Sequence, residues 1–282
     1  MRVLLLGASG RLGSCFLEVP GGLSFAPAAS RRPLGAGWLA LDRLDREGIL
    51  GLLRAAKPDL VVNCVAVTSR ASCSRDPSAA WRVNSLFPRM LAEVCGDSGT
   101  GLIHLSTDLV YSGGNAPYSE RSPAVPRSLY GWSKLVGDRL LQAASESALI
   151  ARTSVIFGST GSARSTFSEE LLESSEGTFP VYSDSLRHHT PAHWLAGAVL
   201  EAFEMGASGM LLLASGKACS RERFARALFG HLGLDPARLA PCRSPKGTPL
   251  DLSLDLRLGR AVLKRPFPDL PSSLGMEYPL RA

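Results

Sequence analysis

Residues 2–6, Arg-Val-Leu-Leu-Leu, run straight into Gly7-Ala8-Ser9-Gly10-Arg11-Leu12-Gly13, and this junction limits the folds open to the chain more than any other stretch. A short apolar run closed by a glycine turn, then a helical pattern over 12–18 that Pro20-Gly21-Gly22 ends, reads as strand, turn and helix. The alternation recurs. Strands are expected around 23–26 and 38–41, and an amphipathic helix over 44–56 stops before Pro58. Residues 59–65, 102–106 and 149–153 are strands without polar alternation, as expected where helices cover both faces of a parallel strand. Residues 79–95 and 129–144 supply helices between them. Strands and helices alternating at this spacing imply an α/β, Rossmann-like, doubly wound parallel sheet with right-handed crossovers.

After about residue 157 the rhythm breaks. Residues 158–164 are Gly/Ser-rich and 184–191 polar; 193–203 and 221–232 read as helices, and 241–249 as loop. We therefore expect a dinucleotide-binding unit over 1–156, to which 193–216 returns, and a smaller substrate-binding lobe from 157–192 and 217–282. A chain of 282 residues is long enough for that division. The net charge of +6 comes from scattered arginines, with no run of five like charges. That balance favours a small anionic ligand over nucleic acid. Six cysteines form no C-x-x-C pair and no metal-ligand spacing, so no metal is expected, and they read as free thiols of a reducing compartment. No stretch approaches the ~18 uninterrupted apolar residues of a membrane helix, and residues 2–6 are too short for a signal peptide. The expected location is the cytoplasm.

The glycine turn is the first candidate site. Gly7, Gly10 and Gly13, following a strand and opening a helix, allow a tight turn, close approach to a pyrophosphate and close helix packing, with Ser9, Arg11 and Leu12 in the same loop. The G-x-x-G-x-x-G spacing points to the short-chain reductase style of dinucleotide site. Arg31 and Arg32 stand where an acidic residue often holds the adenosine ribose; two guanidinium groups suit a 2′-phosphate, which favours NADPH over NADH. Asp42 ends the third strand, where it either meets the adenine amino group or caps a helix. Cys64, Val65 and Ala66 end the fourth strand in the crevice where the cofactor would lie. Asn84, a polar residue on an apolar helical face, either bridges backbone or water beside the site or is an ordinary buried and satisfied amide.

The second candidate site is catalytic. Thr107 lies just beyond a buried strand, and Tyr130 and Lys134, four apart, share one face of the next helix. A carbonyl between Thr107 and Tyr130 would accept hydrogen bonds from both hydroxyls. Tyr130 would deliver a proton as hydride arrives, its pKa lowered by the Lys134 cation. Arg187, His188 and His189 could face a diphosphate or a sugar acid; paired histidines in a polar loop are otherwise exposed.

Together these motifs resemble the extended short-chain dehydrogenase/reductase family, in its dTDP-4-dehydrorhamnose reductase branch. The carrying residues are the glycine turn, Val61 to Thr68, Val83-Asn84, Ser106-Thr107-Asp108-Leu109-Val110-Tyr111, Tyr130-x-x-x-Lys134, Arg152-Thr153-Ser154 and Leu252-Ser253-Leu254-Asp255. The resemblance implies reduction of a keto group on a nucleotide-linked deoxysugar by NAD(P)H. It also implies cofactor contacts at Ser106, Tyr130, Lys134 and Thr153, and substrate contacts at Thr68, Thr107, Asp108, Val155, Arg187 and His188. The chain departs from the branch at Val155, where Trp is usual, in the 184–191 loop, around Thr248-Pro249, and at Ser14-Cys15, where some members carry a carboxylate tied to a dimer-bridging metal. Two other readings stay open: a reductase of a non-nucleotide ketone, aldehyde or imine, and a nucleotide-binding regulatory subunit like the methionine adenosyltransferase beta subunit. A homodimer stays open as well.

Overall fold

A parallel seven-stranded sheet organises the chain, in a computed structural model that describes residues 1–30, 36–158, 166–174 and 177–280. In chain order, β1 (Arg2–Leu6) turns into α1 (Arg11–Leu17), followed by β2 (Ser24–Ala29), β3 (Leu39–Ala40), α2 (Arg46–Ala56) and β4 (Leu60–Asn63). Then come α3 (Arg70–Arg75), α4 (Pro77–Trp81), α5 (Phe87–Ser98), β5 (Gly101–Thr107), α6 (Leu129–Ala144) and β6 (Leu149–Thr153). The remainder runs β7 (Val155–Phe157), α7 (Phe167–Glu173), β8 (Phe179–Tyr182), β9 (Leu186–Arg187), β10 (His189–Pro191), α8 (Ala192–Glu204) and β11 (Gly209–Leu212). It finishes with β12 (Cys219–Ser220), α9 (Arg221–Leu232), β13 (Leu239–Cys242), α10 (Arg257–Val262) and α11 (Leu270–Glu277).

The strand order is β11-β6-β5-β4-β1-β2-β3. Chain direction across the sheet reverses between β1 and β4, which opens a crevice at their carboxyl ends, the usual ligand position in such sheets. The unbroken apolar runs are explained by what covers each face. Val3 and Leu5 of β1 pack with Phe16 of α1 and with Leu195 and Val199 of α8, whereas Leu4 and Leu6 pack with Ile49 of α2 and with Phe87 and Leu91 of α5. A separate core, with Phe157, Phe167, Val181, Phe224, Phe229 and Leu274, joins the later elements.

Several boundaries differ from the sequence expectation for identifiable reasons. β2 runs through Pro27 to Ala29, because the outer side of β2 has a partner only at Ala28 and Ala29 and a missing N–H costs nothing there. The helix expected over 79–95 is broken into α4, a π-helical turn at Arg82–Leu86, and α5. Pro88 lacks the N–H that would pair with the Asn84 carbonyl, and its ring would clash with that carbonyl, so the widened turn relieves both. Part of 241–249 is strand, since β13 pairs parallel with β8. The N-cap of α2 is Asp45, which accepts from Gly48 N at 2.9 Å, so Asp42 does not cap it; Asp42 is exposed just past β3.

Candidate active site

The glycine turn meets the end of β4. Gly7 has φ of +80°, and a Cβ there would stand 3.1 Å from the Cys64 carbonyl carbon, so only glycine lets the two backbones lie this close. A Cβ on Gly13 would stand 2.2 Å from the Gly7 carbonyl oxygen, so glycine also seats α1 on the turn. Gly10 caps α1 without a side-chain partner for the first turn, and Leu12 is buried. Val65 and Ala66 leave β4 as partly exposed chain along the same crevice. Thr153, at the end of β6, has a buried Oγ1 with no hydrogen-bond partner among the described residues. A cradle closed to any Cβ and an orphaned hydroxyl fit a dinucleotide along this edge. Arg31 and Arg32 lie outside the described residues.

Across the crevice, α6 begins on Ser128, whose side chain accepts from Gly131 N at 3.1 Å. Tyr130, Lys134, Asp138 and Leu141 follow at helical spacing, and all are buried. α6 comes close enough to the π-helical turn that a Cβ on Gly137 would stand 2.0 Å from the Asn84 carbonyl oxygen. Thr107 ends β5 beside Tyr130, and its hydroxyl donates to Asp108 Oδ1 at 3.4 Å and accepts from Leu109 N at 3.2 Å. Burial pushes the Tyr130 phenol up to about 12; the neighbouring Thr107 hydroxyl and the Arg187 cation pull it down, and Asp108 pushes it up. This direction is opposite to that expected from the Tyr–Lys spacing.

Lys134 is 1% exposed, and its Nζ lies 2.7 Å from the Leu105 carbonyl oxygen and 2.9 Å from His104 Nε2. Burial brings Lys134 down to about 8, against the raising effect of Asp138. His104 Nδ1 in turn faces Asn63 Nδ2 at 3.0 Å. Beneath this row, Asp138 Oδ2 accepts from Arg152 at 2.7 Å and from the Ser106 hydroxyl at 2.7 Å, and Arg152 also donates to the Tyr111 hydroxyl at 2.9 Å. The sequence reading missed His104, Asp138 and Arg152 as parts of the site. Their signals are a histidine inside the apolar run 102–106 and a carboxylate four residues beyond Lys134.

Four residues expected to touch ligand are occupied otherwise. The Ser106 hydroxyl is taken by Asp138. Asn84 accepts from Val67 N at 2.8 Å and donates to the Val67 carbonyl and the Ser133 hydroxyl, 3.0 Å each, so its whole amide ties the loop after β4 to α6 rather than reaching cofactor. Asp108 is fully buried; Arg187 grips its carboxylate with two nitrogens and Ser154 donates to it. His188 is fixed between the Ser215 carbonyl (2.7 Å) and Leu254 N (3.0 Å), and both it and His189 are 2% exposed rather than solvated. Thr68 is exposed beyond β4, and Val155 lies partly exposed at the start of β7.

Arg187 has company that the sequence did not flag. Burial, followed by the positive charge of Arg187, lowers both Arg70 and Arg221, which puts three guanidinium groups in one neighbourhood near Tyr130. The Arg221 guanidinium lies over the rings of Phe167 (4.6 Å) and Tyr182 (5.3 Å).

A doubly wound sheet, a glycine cradle at its switch point and a buried Thr–Tyr–Lys set across the crevice define the class of extended, dinucleotide-binding short-chain dehydrogenase/reductases. Within it, the chain belongs to the RmlD substrate binding domain family, whose profile matches residues 1–251. It is 31% identical over 99% of its length to the dTDP-4-dehydrorhamnose reductase of Streptomyces griseus, covering 97% of that protein. It is 31% identical over 87% of its length to the dTDP-4-keto-6-deoxy-D-glucose reductase of Streptomyces niveus, covering 83% of that protein. Its fold matches the dTDP-4-dehydrorhamnose reductase of Bacillus anthracis, solved in complex with NADP, with a TM-score of 0.87, 98% of each chain covered and 19% identity.

Proposed function

We propose that this chain reduces a keto group on a nucleotide-activated deoxysugar with NADPH, NADH being the less favoured donor. The observation that carries the reading is the buried set of Thr107, Tyr130 and Lys134 gathered at the carboxyl edge of the sheet, across from the glycine turn. Bound in the crevice, the cofactor supplies the hydride. A carbonyl held between the two hydroxyls accepts a hydrogen bond from each, and Tyr130 gives its proton to that oxygen as charge builds there. The Thr107 hydroxyl is held at the sheet edge by donation from Leu109 N at 3.2 Å and by its own long contact to Asp108 Oδ1 at 3.4 Å. Burial of Tyr130 favours its neutral form, the state that has a proton to give.

The arginines Arg70, Arg187 and Arg221 suit an anionic substrate such as a nucleoside diphosphate sugar. The names of the Streptomyces relatives support that substrate class, and the NADP complex of the Bacillus anthracis protein supports the cofactor. In this reading residues 1–156 with 193–216 hold the cofactor, and 157–192 with 217–282 face the substrate. A second reading, a carbonyl substrate without a nucleotide, draws on Val155 and on the Asp108–Arg187 pair in the substrate wall. A purely regulatory nucleotide-binding role leaves the buried Thr–Tyr–Lys set unexplained.

NADPH oxidation measured with a panel of dTDP-4-keto-6-deoxysugars tests the reading: turnover with at least one supports it, and tight NADPH binding without turnover overturns it. Tyr130→Phe is expected to lower kcat by about 10²- to 10⁴-fold, the ordinary contribution of a general acid, with NADPH affinity nearly unchanged. Loss of cofactor binding instead would mark Tyr130 as structural.

A further inference from the structure

A fully buried row of hydrogen bonds ends on Lys134, and its direction can be read from one end. Val65 N donates to Asn63 Oδ1 at 3.0 Å, which fixes the amide of Asn63 so that its Nδ2 is the atom facing His104 Nδ1. An amide nitrogen only donates, so Nδ1 accepts, and a neutral imidazole then carries its single proton on Nε2. Nε2 lies 2.9 Å from Lys134 Nζ. An ammonium has three N–H groups and no lone pair, so a charged Lys134 would set donor against donor at that contact. A neutral amine satisfies every member: its lone pair accepts from His104 Nε2–H, and it donates to the Leu105 carbonyl.

The other tautomer only moves the conflict to Asn63, and a charged imidazole keeps both conflicts. Burial holds His104 well below its ordinary pKa, which keeps the imidazole neutral. Asn63, His104 and Lys134 are at most 1% exposed, so bulk water does not take over any of these bonds.

We propose that His104 is a positioning residue for Lys134, donating from Nε2 to Nζ and so holding the lysine as a neutral amine in the cofactor-free protein. Acceptor groups of a ligand arriving at Nζ then draw one proton from solvent onto the amine: an N–H bond forms as an O–H bond of a solvent hydronium breaks, releasing water, and no oxidation state changes. The titratable and charged groups bearing on Nζ are His104 of β5, Asp138 of α6, Cys64 just after β4 and Arg152 of β6. Asp138 and Cys64 favour the ammonium, while burial and Arg152 favour the amine. Arg152 and Ser106 share Asp138 Oδ2, while Oδ1, without a hydrogen-bond partner among the described residues, stands 4.0 Å from His104 Nε2, where it favours a proton on that nitrogen. The consequence for reduction rests on the function proposed above, since Lys134 lies one helical turn from Tyr130.

Nitrogen-15 NMR of the cofactor-free protein tests the proposal directly. Lys134 Nζ, assigned by its loss in Lys134→Arg, is followed from pH 6 to 11, together with the ring nitrogens of His104. The expected result is a lysine midpoint well below the ordinary range, with the His104 proton on Nε2 and none on Nδ1. In His104→Gln the flexible amide can turn its oxygen to Nζ, and the lysine midpoint is expected to rise by about one unit or more, a tenfold gain in proton affinity. A proton on His104 Nδ1, an ordinary lysine midpoint in the wild type, or an unmoved midpoint in a folded His104→Gln protein each overturns the proposal. The wild-type spectra stand even where the variant fails to fold. NADPH turnover is measured separately: turnover without these NMR results leaves the reductase and removes the role of His104, and the reverse outcome removes the reductase alone.

Discussion

The carboxyl edge of the sheet and the wall facing it are assembled by different rules. At the edge, position follows from local regularity. Tyr130, Lys134 and Asp138 are placed by one helix, and Asn63 and His104 are direct register partners of adjacent parallel strands. On the wall, position follows from contacts between short pieces. Arg187, from a two-residue strand, reaches Asp108 across 79 residues, and His188 reaches Leu254 across 66. The edge therefore gathers Thr107, Tyr130 and Lys134 through regular local structure, and the wall depends on pairs between distant loops.

If that contrast is right, a wall substitution should cost stability as well as selectivity, because the wall is held by its functional groups. Arg187→Met leaves the fully buried Asp108 carboxylate with Ser154 and Thr107 as its remaining partners. Breaking a buried pair by removing one partner costs about 3–5 kcal/mol, and partial exposure of Arg187 places this case near the lower figure. Urea unfolding reads the loss directly, with a raised KM expected for an anionic substrate. A stability within about 0.5 kcal/mol of wild type would show that the pair serves ligand alone and would erase the contrast.

Legibility in the sequence divides along the same line. Helix α6, expected over 129–144, spans those residues because Ser128 caps it and one buried stripe runs its length. Helix α9, expected over 221–232, is bounded by the Ser220 cap and by Gly233 in the left-handed region. Both signals lie within a few residues of the ends they set. The break at Pro88 was equally local, but the periodicity of 79–95 hid it. Nothing comparable announces the wall. That Asp108 would be consumed by Arg187 and Ser154, or His188 by two backbone groups, depends on which loops meet, and one sequence carries no signal for that. Thr107, Tyr130 and Lys134 were legible as a set, while His104 required the strand register to join them.

Asn84 offers a sharper probe of the edge, with a smaller effect. Its amide joins Val67 to Ser133, and Asn84→Ala leaves the Val67 N–H and carbonyl without these partners. Leaving buried polar groups unsatisfied costs about 1–3 kcal/mol. Because the loop after β4 borders the crevice, NADPH affinity is expected to fall along with stability, even though the side chain is not aimed at the cofactor. Unchanged NADPH affinity in a destabilised protein would restrict Asn84 to holding the fold.

The smallest effect lies where the start of α8 meets α1 and α11. His193 N and Nδ1 lie 2.9 and 2.8 Å from the two Glu277 carboxylate oxygens, and Nε2 lies 3.2 Å from Glu18. Burial pulls His193 down, but the bond to Glu277 and the charges of Glu277 and Glu18 outweigh it and leave the imidazole above its ordinary value. Glu277 is also raised, although a cationic partner should lower it, because its burial outweighs the bonds to His193. A raised histidine contributes stability that is fully present below its unfolded pKa of about 6.5 and is lost as pH climbs through the folded value. The raised Glu277 weakens the pair from the acid side, so the contribution should peak near pH 6. The imidazole is a third exposed, so solvent screening holds the contribution below about 1 kcal/mol. His193→Gln removes the titration while retaining a donor: the stability gap from wild type, read as urea midpoints, should be widest near pH 6 and shrink by pH 9. A gap independent of pH would mean that His193 is held there as a packed neutral ring, and that α11 is fastened by shape rather than by charge.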